Sequence, residues 1–279
     1  MREEFACGAL LSAPDVRDYV ASAKTVDVPS EFELDMPKVK NQSIISSCVA
    51  HALSTVVEYF NQKETGSYEE MSTGYIYGNR RMTSHFDKGM YTRDAIKTVV
   101  KYGDVPNSYF PINTEVPHAI DKFEEHANEL FDVGVQFKFT EYFRLNDDAA
   151  IKASILENGP AIMSMKWSSN VKVRGGIMMI DEDMASSNKG HCMVIYGWND
   201  IGWKVQNSWG VMWGDGGRVI IPYDAPISQV WGVKDDHVCT NITIKKPFHS
   251  KTGVKIAKIL NWIASIFYNI VNKNASKRG

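Results

Sequence analysis

The sequence changes texture at Gly159-Pro160, and this break constrains the fold more than any other feature. Before it, apolar residues recur at helical spacing. Within 48–60, Val49, Leu53, Val56/Val57 and Phe60 fall three or four apart behind Ser46-Ser47, the pattern of a capped helix. Ser72 and Thr92 read as caps of helices over 72–80 and 92–102, the second stopped by Gly103 and Pro106. Two more helices are expected over 117–130 and 147–158. After Pro160 the apolar runs are short, rich in Val, Ile, Met and Trp, and divided by Gly, Asn and Asp. They predict strands over 161–167, 192–198, 203–206, 218–221 and 238–244. A helical front and a stranded back give an α+β protein of two packed lobes. The expected divisions are an irregular N-terminal arm (1–28), a helical lobe (29–145), a β-rich lobe (146–244) and a basic tail (245–279).

Composition narrows what such a chain does. At 44% hydrophobic and 23% charged residues it is a folded protein, not a disordered or collagen-like one. Eight of the 31 basic residues lie in 245–279, which has no acidic ones; the remaining 23 face 33 acidic residues, a balance of −10. A body of that charge excludes nucleic acid as its main partner. The four cysteines, Cys7, Cys48, Cys192 and Cys239, form no C-x-x-C pair, and no Cys/His group has metal-ligand spacing. Neither a metal, a cofactor nor a disulfide framework is expected. The start carries no long apolar run like a secretory signal, and no stretch reaches the ~18 apolar residues of a membrane span. A reducing, cytoplasmic setting follows as the expectation.

Three separated pieces carry chemistry together. A cysteine opening the first helix has unpaired backbone N–H groups and the positive end of the helix dipole at its sulfur. Such a setting, with an imidazolium nearby, lowers a thiol from about 8.5 to roughly 3.5–7.5, so Cys48 is expected as a thiolate. Gln42, six residues earlier, offers an amide that with the Cys48 N–H would hold an oxyanion. A turn near Asn199–Gly202 makes 190–198 and 203–207 a hairpin. Counting back from it sets Asn207 a rung or two from His191, where the amide would orient the imidazole. Each residue alone is weak evidence: a lone cysteine or histidine is more often a core residue. Their joint arrangement is not.

On these residues the chain resembles the papain family of cysteine peptidases over roughly residues 30–244. Asn41-Gln42-x5-Cys48 is similar to the family's oxyanion-and-nucleophile segment. Gly190-His191 and Asn207-Ser208-Trp209-Gly210-x-x-Trp213-Gly214-x-x-Gly217 are similar to its His and Asn segments. The resemblance implies a papain-like two-lobed fold, with a helical left lobe, a β-barrel-like right lobe and a cleft between them. It implies Cys48 as nucleophile, His191 as base and acid, Asn207 as orienter, Gln42 as oxyanion donor, and Trp209 shielding the His–Asn bond. By position, Gly89 and Met90 would form one wall of the peptide groove. Ser164 and Gly190 would flank the pocket for the side chain two before the scissile bond.

Departures from the family pattern concern the groove and the disulfides. Ile45 stands where many members have a disulfide cysteine, and no partner cysteine occurs near Lys88-Gly89-Met90. Val49 replaces a tryptophan and Ser46 a glycine. Only some 40 residues precede the Gln42 segment, which leaves no room for a long inhibitory prodomain. The Pro14–Tyr19 stretch and Lys88–Asp94 are similar to short-arm, microbial-type members. The implied activity is a monomeric cysteine endopeptidase acting on a peptide or protein through a thioester. The alternatives are an amidase or cell-wall-peptide hydrolase on the same fold, or a catalytically silent peptide binder.

The tail reads separately. Ile256, Ile259, Leu260, Ile263, Phe267, Ile270 and Val271 share one helical face within 254–271, with lysines mostly elsewhere. Such a face docks on the protein's own acidic body or a partner, or lies on an anionic membrane surface; the remaining alternative is a disordered tail.

Overall fold

The computed structural model describes residues 6–16, 18–20, 27–80, 88–111 and 123–236, all within one compact unit. The strand expected over 238–244, Cys239 and the tail lie outside them. In chain order the elements are β1 (Ala9–Leu10), β2 (Phe32–Glu33), α1 (Cys48–Thr65), α2 (Thr73–Gly78), β3 (Met90–Tyr91), α3 (Thr92–Tyr102) and α4 (Phe123–Gly134). These are followed by β4 (Glu141–Leu145), α5 (Asp148–Asn158), β5 (Ala161–Lys166), β6 (Lys172–Arg174), β7 (Ile177–Met179), β8 (Gly190–Trp198), β9 (Gly202–Gln206), β10 (Arg218–Pro222) and β11 (Ile227–Lys234).

One mixed sheet runs β4-β11-β5-β8-β9-β10-β7-β6, with β2 added to β8 and only the β10–β7 pair parallel. The expected α+β architecture is observed, with the β-rich lobe formed by this sheet. Among the described residues the end strands do not pair, so the sheet stays open. Helix α5, through Ala150, Ile151 and Ile155, packs on one face of the sheet. Alternation along β8 sorts the two cores: Cys192, Val194 and Tyr196 join the α1 side, Met193 and Ile195 the α5 side. A bulge between Ile195 and Gly197 reverses the parity, and Trp198 returns to the α5 side.

Helix α1 is buried from Cys48 to Asn61 because β8 lies on one side of it and α2 and α3 on the other. Its polar residues His51, Ser54 and Glu58 recur at helical spacing and make one internal stripe. Glu58 meets Lys40 at 2.6 Å and accepts from the Met71 N–H at 2.7 Å. Lys40 also donates to the Met71 carbonyl at 3.2 Å, which pins the segment leading into Gln42 against the helix.

Caps explain the other helix starts. Ser72 Oγ accepts from the Tyr75 N–H at 2.9 Å, and an Asp147 carboxylate oxygen from the Ala150 N–H at 2.8 Å. Thr92 does not cap α3; it is the first helical residue, and its hydroxyl pairs instead with Ser164 Oγ at 2.8 Å. The helix expected over 117–130 is observed as α4, displaced toward its C-terminal side. Strands β4 and β11 were not expected. Within β11 the Ser-Gln and Gly positions break the apolar run, yet β11 is central, between β4 and β5.

Candidate active site

Cys48 is the first residue of α1. Ser47 occupies the N-cap, but its hydroxyl lies 3.2 Å from His51 Nδ1 and caps no first-turn N–H. The backbone amides of Cys48 and Val49 are therefore left facing the Cys48 sulfur. The backbone amides of Cys192, on β8, and Gly8, in the arm, face it too. The sulfur thus lies against the backbone of Cys192, the strand residue next to His191.

Gln42 is positioned by pairing between the 40–42 and 208–210 segments. The Gln42 N–H donates to the Ser208 carbonyl at 2.8 Å, and the Gly210 N–H to the Lys40 carbonyl at 2.9 Å. Ser208 Oγ donates to Gln42 Oε1 at 2.7 Å, which fixes the orientation of the amide. Nε2 donates to the Ile45 carbonyl at 2.9 Å and to the Ala6 carbonyl at 2.8 Å.

His191 and Asn207 come from β8 and the end of β9. Val194 pairs with Gln206, so Asn207 lies two rungs from His191 on the same face. His191 Nε2 is 2.8 Å from Asn207 Oδ1, which also accepts the Ser208 N–H at 2.7 Å. Because Oδ1 only accepts, Nε2 carries the proton and Nδ1 holds the lone pair of the neutral ring. Nδ1 is buried and has no hydrogen-bond partner among the described residues. Trp209 stacks on the imidazole at 4.4 Å, and Trp167 meets it edge-on at 5.1 Å.

The arm lies over all of this. Strand β1 pairs in parallel with β3, Ala9 opposite Met90, and the Met90 N–H donates to the Gly8 carbonyl at 2.8 Å. Gly8 passes so close to the first-helix loop that a Cβ there would overlap the Ser46 carbonyl oxygen. A Cβ on Gly190 would likewise overlap the Ala9 carbonyl oxygen. Farther on, Gln229 clasps Ser12: its Nε2 donates to the Ser12 carbonyl at 2.5 Å and its Oε1 accepts the Ser12 N–H at 3.4 Å. Arg93 ties down the next stretch, at 2.9 Å from Asp18 and 3.0 Å from the Ala13 carbonyl.

This cover reverses the expected ionisation. Cys48, Gln42 and His191 have no exposed surface. Burial pushes the Cys48 thiol up to about 11, outweighing the four backbone amides that favour the thiolate. Burial also pushes the His191 imidazole down to about 4, despite its bond to Asn207. With the arm in place the pair is a neutral thiol and a neutral imidazole. Desolvation, which position in the sequence does not reveal, outweighs the backbone amides that favour the thiolate.

The groove residues fall unevenly. Gly89 and Met90 lie beneath the arm, as the predicted wall does, and Gly190 touches Ala9. Ser164 is fully buried, with its hydroxyl bonded to Thr92. Thr92, Gln229 and Trp167 were not anticipated. Nor were Ala6 and Gly8, whose only sequence signal is a run of small residues at 6–9. Among the described residues no three or more His, Cys, Asp or Glu side chains are grouped to hold a metal, and no helix is long and apolar enough to cross a membrane.

Comparison with known proteins bears on the whole arrangement. The profile described as "Papain family cysteine protease" matches residues 23–239. An "Uncharacterized peptidase C1-like protein L477" of Acanthamoeba polyphaga mimivirus is 27% identical over 197 residues, covering 66% of this chain and 63% of that protein. A "Cysteine protease" of Blomia tropicalis is 24% identical over 199 residues, 65% of this chain and 56% of the other. The chain therefore spans less than two thirds of either relative. Among solved structures, xylellain, a cysteine protease from Xylella fastidiosa, superposes with a TM-score of 0.69 at 21% identity. That match covers 85% of this chain and 98% of xylellain. The Carica candamarcensis cysteine protease CMS1MS2, in complex with E-64, gives 0.56 at 19% identity, over 75% and 100%. At these identities the structural likeness is one of fold.

Proposed function

Because the chain belongs to the papain family of cysteine proteases, we propose that it is a cysteine endopeptidase whose nucleophile is Cys48 and whose own arm holds it latent. Three neighbouring arrangements support the reading. The Cys48 sulfur lies against the backbone of the residue after His191, His191 is held through Nε2 by Asn207, and Gln42 is locked by Ser208.

Once the arm leaves, water and substrate reach the sulfur and desolvation relaxes. Proton transfer from Cys48 to His191 Nδ1 gives the thiolate–imidazolium pair. The imidazolium keeps its Nε2–H bond to Asn207 while Trp209 covers its face. The thiolate adds to a peptide carbonyl, and the oxyanion takes hydrogen bonds from Gln42 Nε2 and the Cys48 N–H. His191 gives its proton to the leaving amine, then takes one from the water that cleaves the thioester.

That Gln42 Nε2 already binds a backbone carbonyl, of Ala6, supports its role as an oxyanion donor. Ile45, which is buried in the α1 core in place of the disulfide cysteine of relatives, supports function under reducing conditions. The sequence of 254–271, outside the described residues, supports docking onto a protein or anionic lipid surface. Vesicle flotation of the full chain and of a chain ending at Lys245 tests the lipid case, and equal partitioning refutes it.

The activity is tested with an epoxysuccinyl inhibitor and a fluorogenic peptide library, using the full chain and Gly8→Ala, a variant that the arm cannot accommodate in place. A covalent adduct on Cys48 with turnover in Gly8→Ala, both abolished by Cys48→Ala, is the expected result. An unmodified Cys48 in folded Gly8→Ala overturns the assignment.

A further inference from the structure

The arm carries a second cysteine, Cys7, whose neighbouring backbone reaches the nucleophile. Its backbone is fixed on both sides of Cys7. Ala6 is held by Gln42 Nε2 through its carbonyl at 2.8 Å. Gly8 is held by the Met90 N–H at 2.8 Å, while its Cα faces Ser46 so closely that no side chain fits. The Gly8 amide facing the Cys48 sulfur is two covalent bonds from the Cys7 Cα. In the run Ala6-Cys7-Gly8-Ala9, Cys7 alone has a reactive side chain. It is partly exposed and packs against the cluster that contains Trp209, whereas Cys48 is fully buried.

We propose that Cys7 and Cys48 are a redox pair, whose disulfide ties the arm across the catalytic residues. The inference rests on the reading of Cys48 as the nucleophile and of the arm as its cover. The oxidant is a small disulfide such as oxidised glutathione. It reaches Cys7 first, because Cys7 is the more exposed thiol. Cys7 displaces one glutathione and forms a mixed disulfide. Cys48 then attacks the Cys7 sulfur, that S–S bond breaks, and the second glutathione leaves with the Cys48 proton. Two protein thiols are oxidised by two electrons, and one glutathione disulfide is reduced to two glutathione thiols. A dithiol reverses both steps. The remaining described thiol near Cys48, Cys192, lies on the same side of β8, but it is buried and engaged with Ser164, so a small disulfide reaches Cys7 before it.

In the reduced state the arm is held by non-covalent contacts, hydrogen bonds, packing and the Arg93 ion pairs, and it exchanges with substrate. In the oxidised state the nucleophile is consumed and its cover cannot leave. Oxidation would therefore switch the protein off without destroying it, and reduction would restore it.

The experiment uses the full chain and mass spectrometry, so it does not depend on any peptidase assay. The protein is equilibrated in glutathione buffers of stepped ratio, quenched in acid, alkylated and digested without reduction. The expected product is lighter by two hydrogens, with the Cys7 peptide joined to the Cys48 peptide, and it disappears on addition of dithiothreitol. Cys7→Ser should yield no such species, and its Cys48 should stay alkylatable after the same treatment. A link from Cys48 to Cys192 or Cys239, or a glutathione adduct on Cys7 that never transfers, overturns the proposal. Should the link form in a protein that shows no turnover with the arm displaced, the peptidase reading falls and the redox pair stands.

Discussion

Replacing Gly8 by alanine separates the machinery from its cover with a single methyl group. In the native chain a Cβ at this position overlaps the Ser46 carbonyl, so the arm cannot keep its course and the sulfur meets water. With the arm in place the thiol is pushed up to about 11, so at pH 7 only about one molecule in 10⁴ is a thiolate. Without the arm, the backbone amides and an imidazolium return the thiol to the neighbourhood of ~7, the upper part of the range for such sites. The thiolate fraction then rises by roughly 5,000-fold. A less basic thiolate is a poorer nucleophile; with a Brønsted slope of about 0.45, a four-unit drop costs some 60-fold. The alkylation rate at pH 7 should therefore increase by about a hundredfold from ionisation alone, and further from access. Iodoacetamide labelling of Cys48 followed by mass spectrometry across pH 5–11 reads both effects. The inflection should move from the alkaline limit to near neutrality in Gly8→Ala. If both proteins label with the same rate and the same inflection, the arm does not control the sulfur and the latency argument is wrong.

Three further outcomes follow from the same contacts. Gln42→Ala in the Gly8→Ala background removes an oxyanion donor and should lower kcat by about 10²–10³ with little change in KM; an equal loss in KM would make Gln42 a binding residue. Asn207→Ala frees the imidazole to rotate and removes a hydrogen bond of about 0.5–1.5 kcal/mol, so kcat should drop about tenfold. An unchanged rate would mean that Trp209 and Trp167 hold the ring alone. Glu58 gives a pH signature of stability: burial raises its carboxyl from 4.5 to about 7 against the pull of Lys40. The folded state therefore favours the protonated acid. Its contribution is fully present below about pH 4.5 and is lost as pH rises through about 7, by up to about 3 kcal/mol. Urea unfolding should show that decline in the wild type and a flatter profile in Glu58→Gln; parallel profiles would refute it.

What could be read from the sequence and what could not divide along a physical line. Gln42, Cys48, His191 and Asn207 stood out because side-chain chemistry and spacing carry them: a hairpin of known turn has a parity, and the parity brings Asn207 to 2.8 Å from His191 Nε2. Helices capped by Ser72 and Asp147 were legible for the same reason, since a side chain does the capping. The arm was not legible, because its contacts are made by backbone. The Ala6 and Gly8 carbonyls and the Gly8 amide belong to no residue type, and a run of small residues says only that something passes close. The ionisation of Cys48 was misjudged through the same gap. Helix dipole and imidazole can be inferred from position, but desolvation depends on what lies on top. Here the thing on top is seven residues of the chain's own extended backbone (6–12). The same amides that should ionise the sulfur therefore face a neutral thiol until that backbone moves, and the protein's resting state is set by the segment that the sequence describes least.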